Sequence, residues 1–242
     1  MRLLAKVSYD GTLFVGWQIQ PNGRSVQEEI ENVISKILNV KTKIYGSGRT
    51  DAMVHALGQT FHFDVNKDNI DIGKLRYSIN SLLPEDIHIN SIVKVDTNFH
   101  ARFMAKNKTY EYILNEGEYN VFERNYVFQF LRPLDINKMI EASKLFIGKH
   151  CFKGFTAKEE DEDNFIREIY SFEIFEENNK VHFIISGNGF MRYMVRNIVG
   201  TLIEIGLEKI DKSYIENIFK NTNLKTQYRS KANGLYLVKV DY

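Results

Sequence analysis

The chain has a single cysteine, Cys151, among 242 residues. One thiol excludes an internal disulfide and any zinc site built on several cysteines, and a reducing cytosol is the compartment it suits. Proline is scarce too, at three residues. No apolar run approaches the roughly 18 residues needed to cross a bilayer. Leu3-Leu4-Ala5 ahead of Lys6 is too short for the apolar core of a signal peptide. Neither sign of charge dominates, because the net charge is +1. Any nucleic-acid site must therefore be a local patch. The phosphate-loop pattern GxxxxGK[ST] is absent. So is a three-glycine dinucleotide fingerprint opening a helix.

What is present is a globular composition, 43% hydrophobic and 26% charged, with 13 Tyr and 17 Phe. The length allows one large domain or two small ones and a substantial core. Aromatics usually belong to the core, but they also offer stacking surfaces for bases.

The chain is organised around Gly46-Ser47-Gly48-Arg49-Thr50-Asp51-Ala52-Met53-Val54-His55-Ala56, followed by Leu57-Gly58-Gln59. A β-branched run, Thr42 to Tyr45, precedes it, and the alternating Thr60 to Val65 follows. It reads as a loop between two strands, with Gly46 and Gly48 permitting positive φ or close approach. Arg49 beside Asp51 can hold the acid ionised, and a partly buried carboxylate is a usable base or nucleophile. The plainer reading makes Asp51 a turn residue and Arg49 its surface partner.

The coarse order of elements follows from pattern. Leu3 to Tyr9 is a strand ending in the turn Asp10-Gly11-Thr12. Ser25-Val26-Gln27-Glu28 is a capping box ahead of a helical stripe at Val26, Ile30, Val33, Ile34, Ile37 and Leu38. A helix over Ile72 to Leu82 stops at Pro84. A strand over Asp86 to Val95 turns Ile87, Ile89 and Ile92 inward. This βαββαβ order is the split-βαβ, ferredoxin-like pattern. Beyond it, Thr109 to Leu114 alternates and puts Tyr110 and Tyr112 on one face. A helix opens at Leu134 to Asn137. Ile166 to Phe175 and Val181 to Ser186 form a hairpin through Glu177-Asn178-Asn179. A helix with Met191, Met194, Val195, Ile198 and Leu202 on its core face sets Arg192 and Arg196 four apart. A short helix over Asp211 to Phe219 and a strand over Gly234 to Val240 close the chain. Glu159 to Asp163 is an acidic run, read as a solvated loop that would repel RNA.

Gly48-Arg49-Thr50-Asp51-Ala52, Val54-His55-Ala56 and Gly58-Gln59 resemble the signature of the TruA-type tRNA pseudouridine synthases, where glycine stands in place of Met53. The likeness covers nearly the whole chain. Tyr9-Asp10-Gly11 with Phe14, Gly16, Trp17 and Gln18 is similar to the family's YDGxxFxGWQRQ, with Ile19 in place of arginine. Phe99 to Phe103 matches FHARF. Thr109-Tyr110-Glu111-Tyr112-Ile113-Leu114 resembles RxYxYxI, whose first tyrosine falls on Tyr110. Gly148 to Phe152 resembles GxHDF with Cys151 for aspartate. Met194 to Gly200 is identical to MVRNIVG, and Gly234 to Leu237 matches GLYL.

The resemblance implies an α+β fold of two ferredoxin-like (split βαβ) halves, residues 1–102 and 103–242. Their antiparallel sheets would join into one continuous sheet around a central cleft. The first half would carry the catalytic loop. The implied activity is isomerisation of uridine to pseudouridine in the anticodon stem-loop of tRNA, at positions 38, 39 and 40. It needs no metal and no cofactor, and the implied setting is a cytoplasmic homodimer. Asp51 would be the catalytic carboxylate, with Arg49 and Arg196 setting its field and Tyr110 stacking on the flipped base. Leu235, or Leu237, would wall the pocket. Trp17, Gln18, Arg24, His55, Arg102, Lys108, Arg167 and Arg192 would bind substrate, and Lys106 and Arg229 would add positive charge for phosphates. Trp17 reads equally as a core anchor. Cys151 has no paired His–Asn logic and is not read as a nucleophile.

Three other readings stand beside this one. A metal-dependent hydrolase would use Asp51, His55, His62 and Asp64, though no HxH or HExxH pattern supports it. A non-catalytic RNA-binding module is suggested by the departures at Met53, Ile19 and Cys151. A paralogue would run the same chemistry on another tRNA site or on ribosomal RNA.

Overall fold

The computed structural model describes residues 1–66, 69–157 and 165–242. The acidic run at 159–163 lies outside the described residues. The chain divides into two compact units, Met1–Ala105 with Tyr236–Tyr242, and Lys106–Leu235.

The first unit begins with β1 (Arg2–Tyr9), whose alternation buries Leu3, Ala5, Val7 and Tyr9. Helix α1 (Val26–Leu38) follows. Ser25 caps it, its Oγ accepting from the Glu28 N–H at 3.4 Å. Asn39 ends it in a left-handed conformation, φ 54°, a geometry asparagine tolerates. The apolar stripe buries Val26, Ile30, Val33 and Ile34. The β-branched run before the glycine loop yields only a two-residue strand, β2 (Tyr45–Gly46). Its pairing stops where the chain turns into the loop. Then come β3 (His55–Asp64), α2 (Ile72–Leu82) and β4 (Ile87–Val95). β1 lies between β4 and β3, antiparallel to both, and β2 adds antiparallel to the far part of β3. This is the ferredoxin-like arrangement. In β4 the inward residues are Ile87, Ile89 and Ile92, which breaks strict alternation. A register shift explains it, because Lys6 pairs with Ser91 while Val7 pairs with Ile89. The extra residue is Asn90, a bulge that returns Ile92 to the core face.

The second unit contains β5 (Asn107–Asn115), the two-residue β6 (Phe128–Gln129), α3 (Ile136–Ser143), β7 (Gly148–Cys151), β8 (Ile166–Glu177), β9 (Lys180–Gly187), α4 (Met194–Gly206) and α5 (Ser213–Lys220). β9 pairs antiparallel with β5 and β8, and β8 with β7. The β8–β9 hairpin turns on Asn178 and Asn179 at φ 54° and 60°, the doubly left-handed turn that suits strand twist. Phe146, Phe152, Phe155 and Phe183 are fully buried. α4 starts two residues after Arg192, so Arg192 lies outside the helix that was expected to carry it. The last strand, β10 (Leu235–Asp241), returns to the first unit. There Tyr236 and Leu237 pair in parallel with His55 and Ala56 of β3.

Candidate active site

The Asp51 loop is held from below by the Asp10–Gln20 segment. Gly11 approaches so closely that a Cβ there would lie 2.1 Å from the Val54 carbonyl oxygen. The Gly11 N–H donates to Nδ1 of His55 at 3.1 Å. Gly16, at φ +118°, forms an isolated antiparallel bridge with Asp51. The Trp17 N–H donates to the Thr50 carbonyl at 3.0 Å, and the Met53 N–H donates to the Phe14 carbonyl at 3.3 Å. The Trp17 indole, 3% exposed, fills the space beside Gly46, where a Cβ would come within 2.8 Å of it. Trp17 is thus a core anchor beneath the loop, and Gly46 is glycine because the indole is there.

The other side of the loop is tied to β3. The Ser47 hydroxyl donates to Oε1 of Gln59 at 2.6 Å, and Nε2 of Gln59 donates to the Gly48 carbonyl at 3.0 Å. The Thr50 hydroxyl shares a 2.8 Å hydrogen bond with the Tyr9 hydroxyl in the core. These ties leave Asp51 half-buried and Arg49 exposed. Among the described residues Arg49 makes no ion pair. The expected local pairing of Arg49 with Asp51 is therefore not formed. Thr50, between them, points inward and splits the two side chains into different surroundings. Met53 adopts φ 64°, which accounts for glycine at this place in the family motif, since left-handed backbone suits glycine.

The remaining first-unit candidates differ in their engagement. Gln18 is exposed. His55 is buried at 2% exposure, and its ring stacks on Tyr236 at 4.8 Å and 22°. Arg24 is bound to Glu29 and forks onto Asp86 at 2.6 and 3.0 Å. It also sits over the Phe14 ring at 4.3 Å. The hydrogen bonds to Asp86 raise its pKa beyond the ordinary arginine value. Its charge thus pins α1 to the start of β4. Arg102 is exposed beside the Phe103 ring. His62 and Asp64 have other engagements as well. Asp64 forks with Arg2 at 2.8 and 2.9 Å. His62 accepts from the Ala101 N–H at 3.2 Å and stacks on Tyr45.

In the second unit, Tyr110 lies on β5, 8% exposed, with Phe190 edge-on to its ring at 5.1 Å and 78°. Lys108 and Arg167 are half-buried, and Nη1 of Arg167 donates to the Ile166 carbonyl. Leu235 is buried. Nε of Arg196 donates to the Ser230 carbonyl at 2.9 Å. Arg192 and Arg196 both lie against the Tyr193 ring. Motif reading quoted Tyr9 and Gln59 without giving either a role, and it did not single out Tyr193. Gln59 gave a signal, a polar residue inside a strand buried on both faces.

A family model described as tRNA pseudouridine synthase matches residues 5–104 and 142–242. A tRNA pseudouridine synthase A 1 of Bacillus cereus is 40% identical over 246 residues, covering 100% of this chain and 98% of that one. A tRNA pseudouridine synthase A of Streptococcus uberis is 42% identical, again over 100% and 98%. One of Lactococcus lactis subsp. cremoris is 41% identical over 100% of this chain and 97% of its own. The chain belongs to the TruA-type tRNA pseudouridine synthase family and is an isomerase.

Proposed function

We propose that the chain converts uridine to pseudouridine in the anticodon stem-loop of tRNA, with Asp51 acting on the reacting ribose. The observation that carries this is the Asp51 loop. A half-buried carboxylate is presented on backbone pinned by Gly16, Trp17 and Gln59, and the relatives that match over the full chain are named for this activity. In the reaction the N1–C1′ bond breaks and C5 bonds to C1′. C5 loses its proton to solvent and N1 regains one, so the product is an isomer and no electrons change hands. A fixed carboxylate serves by attacking C1′ or by taking the C2′ proton.

Tyr110 stacks on the flipped base, Arg49 and Arg196 tune the field, and Leu235 closes the apolar side. The first half supplies the catalytic loop and the second completes the site. Gln18, Arg102, Lys108, Arg167 and Arg192 hold the RNA. The working form is a cytoplasmic homodimer, which light scattering tests directly.

The test of function is a product map. Wild type and Asp51→Ala are incubated with unmodified tRNA and ribosomal RNA, and pseudouridine is located by chemical labelling. Wild-type product in the anticodon arm, absent from the variant, is the expected result. Product elsewhere moves the substrate and keeps the chemistry. No product with either protein favours a binding module.

A further inference from the structure

Three guanidinium groups converge on one phenol ring in the second unit. The Cζ atoms of Arg229, Arg192 and Arg196 lie 4.0, 4.8 and 5.3 Å from the Tyr193 ring centroid. Like charges this close repel. Two unit charges about 8 Å apart cost about 2 kcal/mol at an effective dielectric near 20. A cation–π contact returns only about 0.5–1 kcal/mol at an exposed site. The ring alone does not hold the group together.

No carboxylate among the described residues pairs with Arg192 or Arg229. Their partners are neutral. Nε of Arg229 donates to Oδ1 of Asn197 at 2.9 Å, and Nη2 of Arg192 donates to the Tyr193 hydroxyl at 3.1 Å. Arg229 reaches the ring because its segment lies against α4 at Gly200, where a Cβ would meet the Arg229 backbone nitrogen at 2.7 Å. The Ser230 N–H donates to the Arg196 carbonyl at 3.0 Å and fixes that segment.

Tyr193 itself is strained. It sits just ahead of α4 at φ 61°, ψ 3° and gives no side-chain cap to the helix. A bulky residue in left-handed backbone costs roughly 1–3 kcal/mol, and such strain gathers at functional sites. Here it places the ring among the arginines.

We propose that Arg192, Arg229 and Tyr193 form a clamp for one phosphodiester of the RNA, the ring spacing the guanidinium forks around the anion. This rests on the RNA-isomerase reading above and deepens it by adding Tyr193 and by bringing Arg192 and Arg229 onto one phosphodiester. Guanidinium forks match phosphate oxygens in bidentate geometry, and a bound phosphate offsets the repulsion between Arg192 and Arg229, which no carboxylate among the described residues pairs with.

The test is binding of an unmodified tRNA transcript across a salt series, in an Asp51→Asn background so that no product forms. Arg192→Gln and Arg229→Gln should each weaken binding about tenfold and make the log K against log salt slope shallower by about 0.7–0.9. In the wild-type background each should raise KM and leave kcat within about twofold. Tyr193→Asn is the sharper variant, because asparagine accepts left-handed backbone. Its melting temperature should hold or rise while RNA binding weakens. A lower melting temperature with unchanged binding would make Tyr193 merely structural and overturn the clamp. Unchanged slopes in both arginine variants would overturn it too, whether or not the wild type makes pseudouridine. If the wild type makes none but the slopes still fall, the isomerase reading fails and the clamp stands. Inorganic phosphate, titrated at constant ionic strength, separates the sources. Phosphate binding lost in Arg229→Gln with RNA affinity unmoved would assign the cluster to a free anion and overturn the proposal.

Discussion

Gly16 and Asp51 run antiparallel in contact, so close that a Cβ on residue 16 would stand 2.7 Å from the carbonyl oxygen of Thr50. The candidate carboxylate is therefore positioned by a glycine 35 residues earlier in the chain. Gly16 also holds φ +118°, which side chains rarely adopt. Gly16→Ala should cost roughly 1–3 kcal/mol in backbone strain alone. The added methyl meets backbone, which cannot swing aside, so the loop must shift. A displacement of about 1 Å at a reacting group lowers turnover about a hundredfold. Thermal melting and single-turnover kinetics check both effects. A variant that melts and turns over like wild type would separate the bridge from Asp51.

Met53 is the converse case. It is 42% exposed and left-handed at φ 64°, so its side chain packs little and its backbone is strained. Left-handed backbone costs an ordinary residue roughly 1–2 kcal/mol, while glycine gives back part of that through chain entropy. Met53→Gly should stabilise by about 0.5–1 kcal/mol. A denaturant midpoint that falls would show that Met53 makes contacts worth more than its strain.

Much of the architecture was legible because it rests on local chemistry. The Ser25 cap, the α1 stripe and the Asn178-Asn179 turn are each set by residues within a few positions of one another. The illegible parts are those where distant segments meet. Nothing near Arg24 in sequence reveals that Asp86 will take its fork. Nothing near Tyr193 reveals that Arg229 will arrive on its ring. Trp17 reads equally as core or substrate contact from sequence, and its place in the core is set by the Gly46 backbone lying against the indole. β2 is shorter than the Thr42 to Tyr45 run suggests, because β-branched residues favour strands without fixing where pairing ends.

His62 makes stability depend on pH. Burial, then the charges of Arg2 and His100, lower its pKa from 6.5 to about 4. The unfolded chain thus binds a proton more readily than the folded one between those values. The stabilisation is complete above pH 6.5, fades as pH falls through the window and is gone below about 4. Its size is on the order of 3 kcal/mol. Replacing His62 by Gln, which still accepts a hydrogen bond, should flatten unfolding free energy between pH 6.5 and 4.5 relative to wild type. Equal slopes for the two proteins would place the proton uptake on another group.

Asp51→Asn tests the candidate carboxylate with the least disturbance of its loop. Two backbone contacts hold the loop at Asp51, the bridge to Gly16 and the Val54 N–H donating to the Asp51 carbonyl at 3.2 Å. Asparagine keeps both, together with the side-chain size, and removes charge and basicity. A group that acts only on the reacting ribose stabilises the transition state and not the bound ground state, so its loss appears in kcat. Turnover at saturating tRNA should fall by about 10²–10⁴-fold or more. RNA affinity should stay within a few-fold, or tighten as repulsion from phosphate is removed. If Asp51 only shapes the turn, asparagine serves nearly as well and turnover survives. Turnover within a few-fold of wild type would therefore remove Asp51 from the chemistry, and a parallel loss of affinity and turnover would make it a binding residue.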